Sequence, residues 1–361
     1  MMPHNILPTF WKSKRVLISG HTGFKGGWLS LWLQSLGADV CGVSLAPPTK
    51  PSLFNEAKVS NGMRHEIVDI RNFEEVDYVF QSFHPEIVIH MAAQPLVRLS
   101  YQMPAETYAT NVMGSVHILE ASRRAKSVRA IVNVTTDKCY ENREWVWGYR
   151  EDEPMGGHDP YSSSKACSEL ISSAYRRSFL ETEGIGMATA RAGNVIGGGD
   201  WAQDRLIPDV LRSLEQKDAV EIRNPNAIRP WQHVLEPLSG YLMLAEKLYL
   251  NERNASGAWN FGPRDEDAKT VKWIAENLSS KWGAITASKV LTAEQPHEAH
   301  FLKLDISKAK QQLGWEPKWS LDSALDKTID WQKAWRAGED MRRKCLDQIS
   351  EYNTEFPSIE H

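Results

Sequence analysis

The chain has 361 residues, of which 42% are hydrophobic and 24% charged, a balance typical of globular proteins and not of fibrous or disordered ones. That length allows one large domain or two ordinary ones, with enough buried surface to fold without disulfide staples. The formal net charge of −4, from 42 basic and 46 acidic residues, argues against nucleic acid as the main partner, because phosphate neutralisation needs a basic surface.

The first element is the apolar run Arg15 to Ser19, read as a buried strand. It runs into Gly20-His21-Thr22-Gly23-Phe24-Lys25-Gly26 and then a helix, where Trp28, Leu29, Trp32, Leu33 and Leu36 fall on one face. Gly37 ends that helix and Val40 to Val43 restarts as a strand. Strand, glycine turn, helix, strand is a βαβ unit. The alternation continues with a third strand over His65–Ile70, a helix over Phe73–Phe83, and a fourth strand over Glu86–His90. A long helix follows from Pro104 to about Lys126. Ala130 to Val134 is a fifth strand, a helix runs from Pro160 to about Glu181, and Gly186 to Arg191 is a sixth strand. This pattern predicts an α/β fold of Rossmann type, a doubly wound parallel sheet with a smaller C-terminal substrate-binding lobe. The dinucleotide-binding part spans residues 1–193, with a segment around 232–260 returning to it, and 194–361 is mainly the second lobe. Ser350 to His361 reads as a polar tail.

Four scattered cysteines (Cys41, Cys139, Cys167, Cys345) form no CxxC pair, so the spacing offers no zinc or redox framework and no metal is expected. The first 20 residues lack a signal-peptide core, and no run approaches the ~18 apolar residues of a membrane span. The expectation is a soluble, cytoplasmic protein. The 14 tryptophans are expected mostly in the core or an interface, with their indole N–H groups bonded.

Three clusters carry candidate chemistry. Gly20, Gly23 and Gly26 let the backbone turn tightly and approach a pyrophosphate at a helix N-terminus. The second strand ends in Val43-Ser44-Leu45 with neither acid nor arginine. Ser44 is then the ribose contact, weaker than a carboxylate, and NAD is favoured over NADP. Asp69 is either an acceptor for the adenine amino group or a helix cap. Tyr161 and Lys165 stand at i and i+4 on one helix face, where an ammonium can favour the phenolate. Thr136-Asp137-Lys138 lies at the carboxyl end of the fifth strand, the usual ligand side of an open α/β sheet.

With Gly-x-x-Gly-x-x-Gly, Tyr-x-x-x-Lys and Thr135 to Tyr140 in these places, the chain resembles the extended, nucleotide-sugar-modifying branch of the short-chain dehydrogenase/reductase superfamily. Within it the chain looks most like the CDP-glucose 4,6-dehydratases, through the strings His21 to Gly26, Trp145 to Tyr149, Gly193 to Trp201 and Arg229 to Val234. The resemblance implies NAD as cofactor, held by Gly20, Thr22, Gly23, Phe24, Lys25, Gly26, Ser44, Asp69, Ile70, Ala92, Ala93, Gln94, Asn111, Tyr161 and Lys165. It implies Tyr161 as base toward the 4-hydroxyl, Lys165 as holder of the phenolate and Thr136 as hydrogen-bond partner of the same oxygen. Asp137 would be the dehydrating acid. Lys138 would be the base at C5, if it loses its charge, or else a stabiliser of the enolate. Asn194, Arg205, Arg229 and His297 are its substrate contacts, with Arg191 and Arg264 as further phosphate candidates. The substrate would be a nucleotide sugar, CDP-glucose first, feeding deoxysugar synthesis for lipopolysaccharide O antigen. A homodimer or higher homo-oligomer through the helices at 104–126 and 160–182 is implied too. The rivals are another nucleotide-sugar 4,6-dehydratase, a nucleotide-sugar 4-epimerase and a non-catalytic dinucleotide-binding protein.

Overall fold

Seven strands carry the central sheet of the computed structural model, which describes residues 6–222, 224–252, 254–283, 288–290 and 301–354. They are β1 (Arg15–Ser19), β2 (Asp39–Ser44), β3 (Arg64–Ile67), β4 (Ile87–His90), β5 (Ala130–Val134), β6 (Gly186–Ala192) and, further along, β10 (Gly257–Phe261). Between and after them, β7 (Asn194–Ile196), β8 (Val220–Ile222), β9 (Ile228–His233), β11 (Ala268–Thr270) and β12 (Ser288–Val290) form two small sheets. The large sheet has the order β10-β6-β5-β4-β1-β2-β3, with every neighbouring pair parallel. Val16 pairs with Val40 on one side and Ile87 on the other, so the chain winds away from β1 in both directions. That reversal opens a crevice at the carboxyl ends of the strands. Strands β4 and β5 are buried at every residue, as parallel strands covered on both faces are.

The helix after the glycine turn, Phe24–Ser35, is buried from Gly26 through Leu33 and not along one face as its pattern predicts. The reason is a second cover. The C-terminal helix Met341–Thr354 lies against it, with the Trp32 and Tyr352 rings 5.7 Å apart. The same contact corrects the expected polar tail, because residues 350–354 belong to this helix and Tyr352 is buried. The third strand is shorter than expected and stops at Ile67.

The helix read from Pro104 to Lys126 is three pieces: Pro104–Tyr108, a π turn at Ala109–Met113, and Gly114–Arg124. The π turn adds one residue per turn and carries Asn111 inward, a feature that often marks functional sites. The helix Pro160–Tyr175 likewise continues as a π turn over Arg176–Leu180.

After β6 the chain builds a second apolar core from Ile207, Leu211, Ile274, Leu278 and Leu325. Between these contributions it returns to the large sheet as the buried helix Leu235–Tyr249 and β10, which pairs with β6. Most tryptophans with a bonded indole donate to backbone, as Trp28 does to Gly198 and Trp259 to Ala255. Trp11, Trp32 and Trp145 depart from the expectation and have no indole partner among the described residues. No helix is long and apolar enough to cross a membrane, and no cluster of metal-ligating side chains occurs among the described residues.

Candidate active site

The chain leaves β1 through Gly20 in the left-handed region, φ 83°. A Cβ there would stand 2.8 Å from the Ala92 backbone nitrogen, and one on Gly26 would stand 2.1 Å from the Gly20 carbonyl oxygen. Both positions therefore exclude side chains by close backbone approach. Gly23 is different. It caps Phe24–Ser35 with no side-chain bond, no acid occupies the first turn, and a Cβ on it would meet only the Gly20 oxygen at 3.4 Å. The outer side of the turn is thus open backbone at the positive end of a helix, which fits the pyrophosphate of a dinucleotide.

At the β2 end, Thr22 donates to the Leu45 carbonyl at 2.9 Å, so Ser44 is the donor in its 2.8 Å bond to Thr22. As donor in that bond, Ser44 keeps its acceptor capacity for a ribose hydroxyl. His21 packs edge-on to Phe54 above Gly42, where a Cβ would lie 2.3 Å from the ring. Burial draws its imidazole down to about 4 and keeps it neutral. Asp69 is engaged by Arg71, whose Nη2 lies 2.6 Å from Oδ2, and this bond holds the carboxyl below its usual range. It is not the helix cap: Asn72 caps Phe73–Phe83 by accepting from the Glu75 amide. Ile70 accepts from His117 Nδ1 at 2.9 Å. The amide of Ala92 donates to Ser19 Oγ, and Ala93 follows, half-buried. Asn111 clips the next residue, accepting from the Gln94 amide at 2.8 Å and donating to the Gln94 carbonyl and to Ser164. Asn111 thus orients the cofactor-side loop against the helix of Tyr161.

That helix begins at Asp159, which accepts from the Ser162 amide at 2.9 Å. Its first turns bury Tyr161 and Lys165 facing the end of β5. There Thr136 caps the short turn Asp137–Cys139 and donates to Asp137 Oδ1 at 3.0 Å. Burial pushes the Tyr161 phenol up to about 12, opposed by a hydrogen bond with Thr136 and by the Arg205 charge. Arg205 is thus one cation that favours the phenolate, while the Nζ of Lys165 donates to the Val134 carbonyl at 3.2 Å. Burial lowers the Lys165 ammonium to about 8, with Glu169 opposing. Burial also raises Asp137, opposed by Lys138, Thr136 and Arg229. Its Oδ2 is buried without a hydrogen-bond partner among the described residues. A buried carboxyl pushed toward its protonated form, with one oxygen unbonded and a phenol and a hydroxyl nearby, is the equipment of a general acid. Lys138 is only partly buried. Lys25 donates to the Tyr241 hydroxyl at 2.9 Å, and burial first, then Lys165 and Arg205, pull its amine down to about 7.

Of the anticipated substrate contacts, Asn194 opens β7 beside Trp231, and Arg229 is buried on β9 close enough to act on Asp137. Arg205 reaches toward Tyr161 while paired with Asp200 at 3.0 Å. His297 lies outside the described residues. Two further arginines are otherwise engaged. Arg191 is buried in an ion pair with Glu169 at 2.8 Å, and Arg264 donates to the Pro317 carbonyl. Phe301 and Leu304 make isolated bridges to Ile228 and Tyr149. Sequence reasoning assigned nothing to Glu169 or Tyr241. The spacing of Glu169, four residues beyond Lys165 on the same helix face, was the available signal; nothing local marks Tyr241.

A family described as GDP-mannose 4,6 dehydratase matches residues 17–328. The CDP-glucose 4,6-dehydratase of Salmonella typhimurium strain LT2 is 58% identical over 349 residues, 95% of this chain and 97% of that one. Among solved structures, the UDP-glucose 4-epimerase of Thermotoga maritima with UDP-glucose superposes with a TM-score of 0.79 at 23% identity, covering 89% of this chain and 99% of the other. DesIV, the dTDP-glucose 4,6-dehydratase of Streptomyces venezuelae, solved with NAD bound, gives 0.76 at 22% identity, covering 91% and 99%.

Proposed function

Because the chain belongs to the GDP-mannose 4,6 dehydratase family, we propose that it is an NAD-dependent CDP-glucose 4,6-dehydratase, a hydro-lyase that forms CDP-4-keto-6-deoxyglucose. The observation that carries the reaction type is Asp137, a buried carboxyl held toward its protonated form with Oδ2 unbonded beside Tyr161 and Thr136. An epimerase, which only oxidises and re-reduces C4, has no use for such an acid. Identity of 58% across nearly the whole chain supports the cytidine nucleotide.

Gly20, Gly23 and Gly26 would bed the pyrophosphate of NAD on the helix N-terminus, and Ser44 with Thr22 would meet the adenosine ribose. Bound NAD supplies a hydride acceptor for C4 and a donor for C6. Tyr161 takes the 4-hydroxyl proton, a step that requires its phenol to fall from about 12. Arg205 and Thr136 favour that fall. Lys165 holds the nicotinamide ribose and, once it leaves the Val134 carbonyl, the phenolate. The new ketone acidifies C5–H, Asp137 protonates the departing 6-hydroxyl, and Lys138 stands on the C5 side as base or enolate partner. Asn194 and Arg229 line the nucleotide side, with Arg205 reaching both phosphate and phenol. This division of labour makes 1–193, plus the returning segment near 232–260, the cofactor part and the remainder the substrate lobe.

The setting is the cytoplasm, in keeping with four unpaired cysteines, and the product feeds deoxysugar synthesis for O antigen. A homodimer through the helices at 104–126 and 160–182 is supported by apolar side chains exposed on them, among them Tyr108, Met113, Leu170 and Phe179. Incubating the purified protein and NAD with CDP-, dTDP-, UDP- and GDP-glucose tests the reading. The expected product appears from CDP-glucose alone, lighter by one water and absorbing in alkali. A sugar nucleotide of unchanged mass with inverted C4 would make the protein an epimerase.

A further inference from the structure

Beneath the catalytic residues lies a carboxylate that the reaction as described does not use. Glu169 stands one helical turn past Lys165 and two past Tyr161 on Pro160–Tyr175, and only 6% of it is exposed. Its Oε1 accepts from the Thr135 hydroxyl and, at 2.9 Å, from Arg191 Nε. Its Oε2 accepts from the Thr189 hydroxyl at 2.7 Å and from Arg191 Nη2 at 2.8 Å. Arg191 spends its remaining nitrogen on the Tyr140 hydroxyl at 2.7 Å and the Glu151 carbonyl at 2.9 Å. Four donors therefore lock both carboxylate oxygens, tying the catalytic helix to the ends of β5 and β6 at once. Apolar residues of the same volume can fill such a space without the desolvation cost of an ion pair. What they cannot do is hold the Thr135 hydroxyl, which belongs to the residue before Thr136, or put a negative charge next to Lys165.

We propose that Glu169 is a positioning residue: it fixes the Thr135 end of β5, and with it the Thr136 hydroxyl, and it sets a negative charge one helical turn from Lys165. The groups facing Lys165 agree. From its own helix comes Glu169, from the turn after β5 the Cys139 thiol, from the start of Phe24–Ser35 the Lys25 amine and from β4 the His90 imidazole. His90 is drawn down to about 3 by burial and is neutral, and the Cys139 thiol is pushed well up by burial and keeps its proton. Lys25, drawn down to about 7, is largely uncharged where Lys165 titrates. Glu169 is then the one negative charge among these groups that opposes burial. The Val134 carbonyl, 3.2 Å away, accepts a hydrogen bond from the Lys165 ammonium.

This inference rests on the dehydratase reading for its kinetic readout but not for its chemical one. Two variants separate its parts. Glu169→Gln removes the charge, and Glu169→Asp keeps the charge but draws the carboxylate back from Thr135. In each, kcat and KM for CDP-glucose are followed against pH, and the reactivity of Lys165 with acetic anhydride is read by peptide mass against pH without turnover. Glu169→Gln should lower the labelling midpoint of Lys165 by about one pH unit, and should move the alkaline limb of kcat down by the same interval while KM stays within about twofold. Glu169→Asp should leave both midpoints in place and lower kcat at least about tenfold. Unmoved labelling in a folded Glu169→Gln, or wild-type kcat in Glu169→Asp, overturns the proposal. Should Glu169→Gln fail to fold, Glu169→Asp decides alone. If the wild type fails to turn over CDP-glucose while the labelling midpoint still shifts, the dehydratase reading falls and the role of Glu169 toward Lys165 stands.

Discussion

Asp137 and Lys138 are adjacent residues that differ in burial. Asp137 sits in the turn after β5 with burial raising its carboxyl, whereas Lys138 is partly open to water. Asp137→Asn keeps the shape and removes the proton. It should lower water elimination by about 10²–10⁴-fold, the usual worth of a general acid, while C4 oxidation continues and reduced cofactor accumulates at 340 nm. The folded carboxyl holds its proton above the ordinary aspartate range, so wild-type elimination should fade as pH rises through that raised value. A rate that increases over the same interval would remove Asp137 as the acid. Lys138→Ala is the companion test. Oxidation at C4 should stay detectable and dehydration should be blocked, and unchanged formation of the 4-keto-6-deoxy product would take Lys138 out of the mechanism. The candidate pair Tyr161 and Lys165 was legible from its spacing, and Thr136 from its place at the end of β5 and the family resemblance. Arg205, which also favours the phenolate, was not, because it is 44 residues from Tyr161 in the chain and only tertiary folding brings them together.

At the scale of elements, the loop between β7 and the helix Leu206–Gln216 is clamped from two sides. Trp28 of the glycine-turn helix donates to the Gly198 carbonyl at 3.0 Å, and a Cβ on Gly198 would lie 2.0 Å from the Trp331 ring. The same loop carries Asp200, which pairs with Arg205 at 3.0 Å. A second junction forms around Glu236 at the start of Leu235–Tyr249, whose carboxylate accepts from the amides of Lys318 and Trp319 and, at 2.7 Å, from the Tyr352 hydroxyl. Tyr352→Phe removes one donor from a buried carboxylate and should cost about 1–3 kcal/mol, read as a lower Tm with the parallel sheet intact. Burial raises Glu236 to about 7 from an ordinary 4.5. Between those values the folded state keeps a proton that the unfolded state has released, so this group's contribution is whole below the unfolded value and is lost as pH rises through the folded one. The stability advantage of the wild type over Glu236→Gln should therefore narrow from pH 4.5 to about 7, as measured by urea unfolding. An advantage that widens would mean the carboxyl ionises easily in place. None of this was visible in the last residues of the chain, whose polar composition hides Ile349 and Tyr352 on one face of Met341–Thr354.

For the whole molecule, the outer faces of the helices that carry Asn111 and Tyr161 are the same faces that expose Met113 and Leu170. A twofold contact there would brace both helices of the site. Leu170→Glu should convert a dimer in sedimentation at micromolar concentration into a monomer with reduced kcat. A wild type that sediments as a monomer would place assembly elsewhere or nowhere.

The order of strands and helices, the glycine turn and the candidate catalytic residues were all contained in local pattern, since periodicity, β-branched runs and i, i+4 spacing are properties of neighbouring residues. Three matters were settled only by tertiary packing: which charges surround Tyr161 and Lys165, that Arg191 is held by Glu169 and not free for phosphate, and that the glycine-turn helix is covered on its second side. Each depends on groups distant in the chain entering one low-dielectric space, where burial, more than residue type, decides which form of an ionisable group persists.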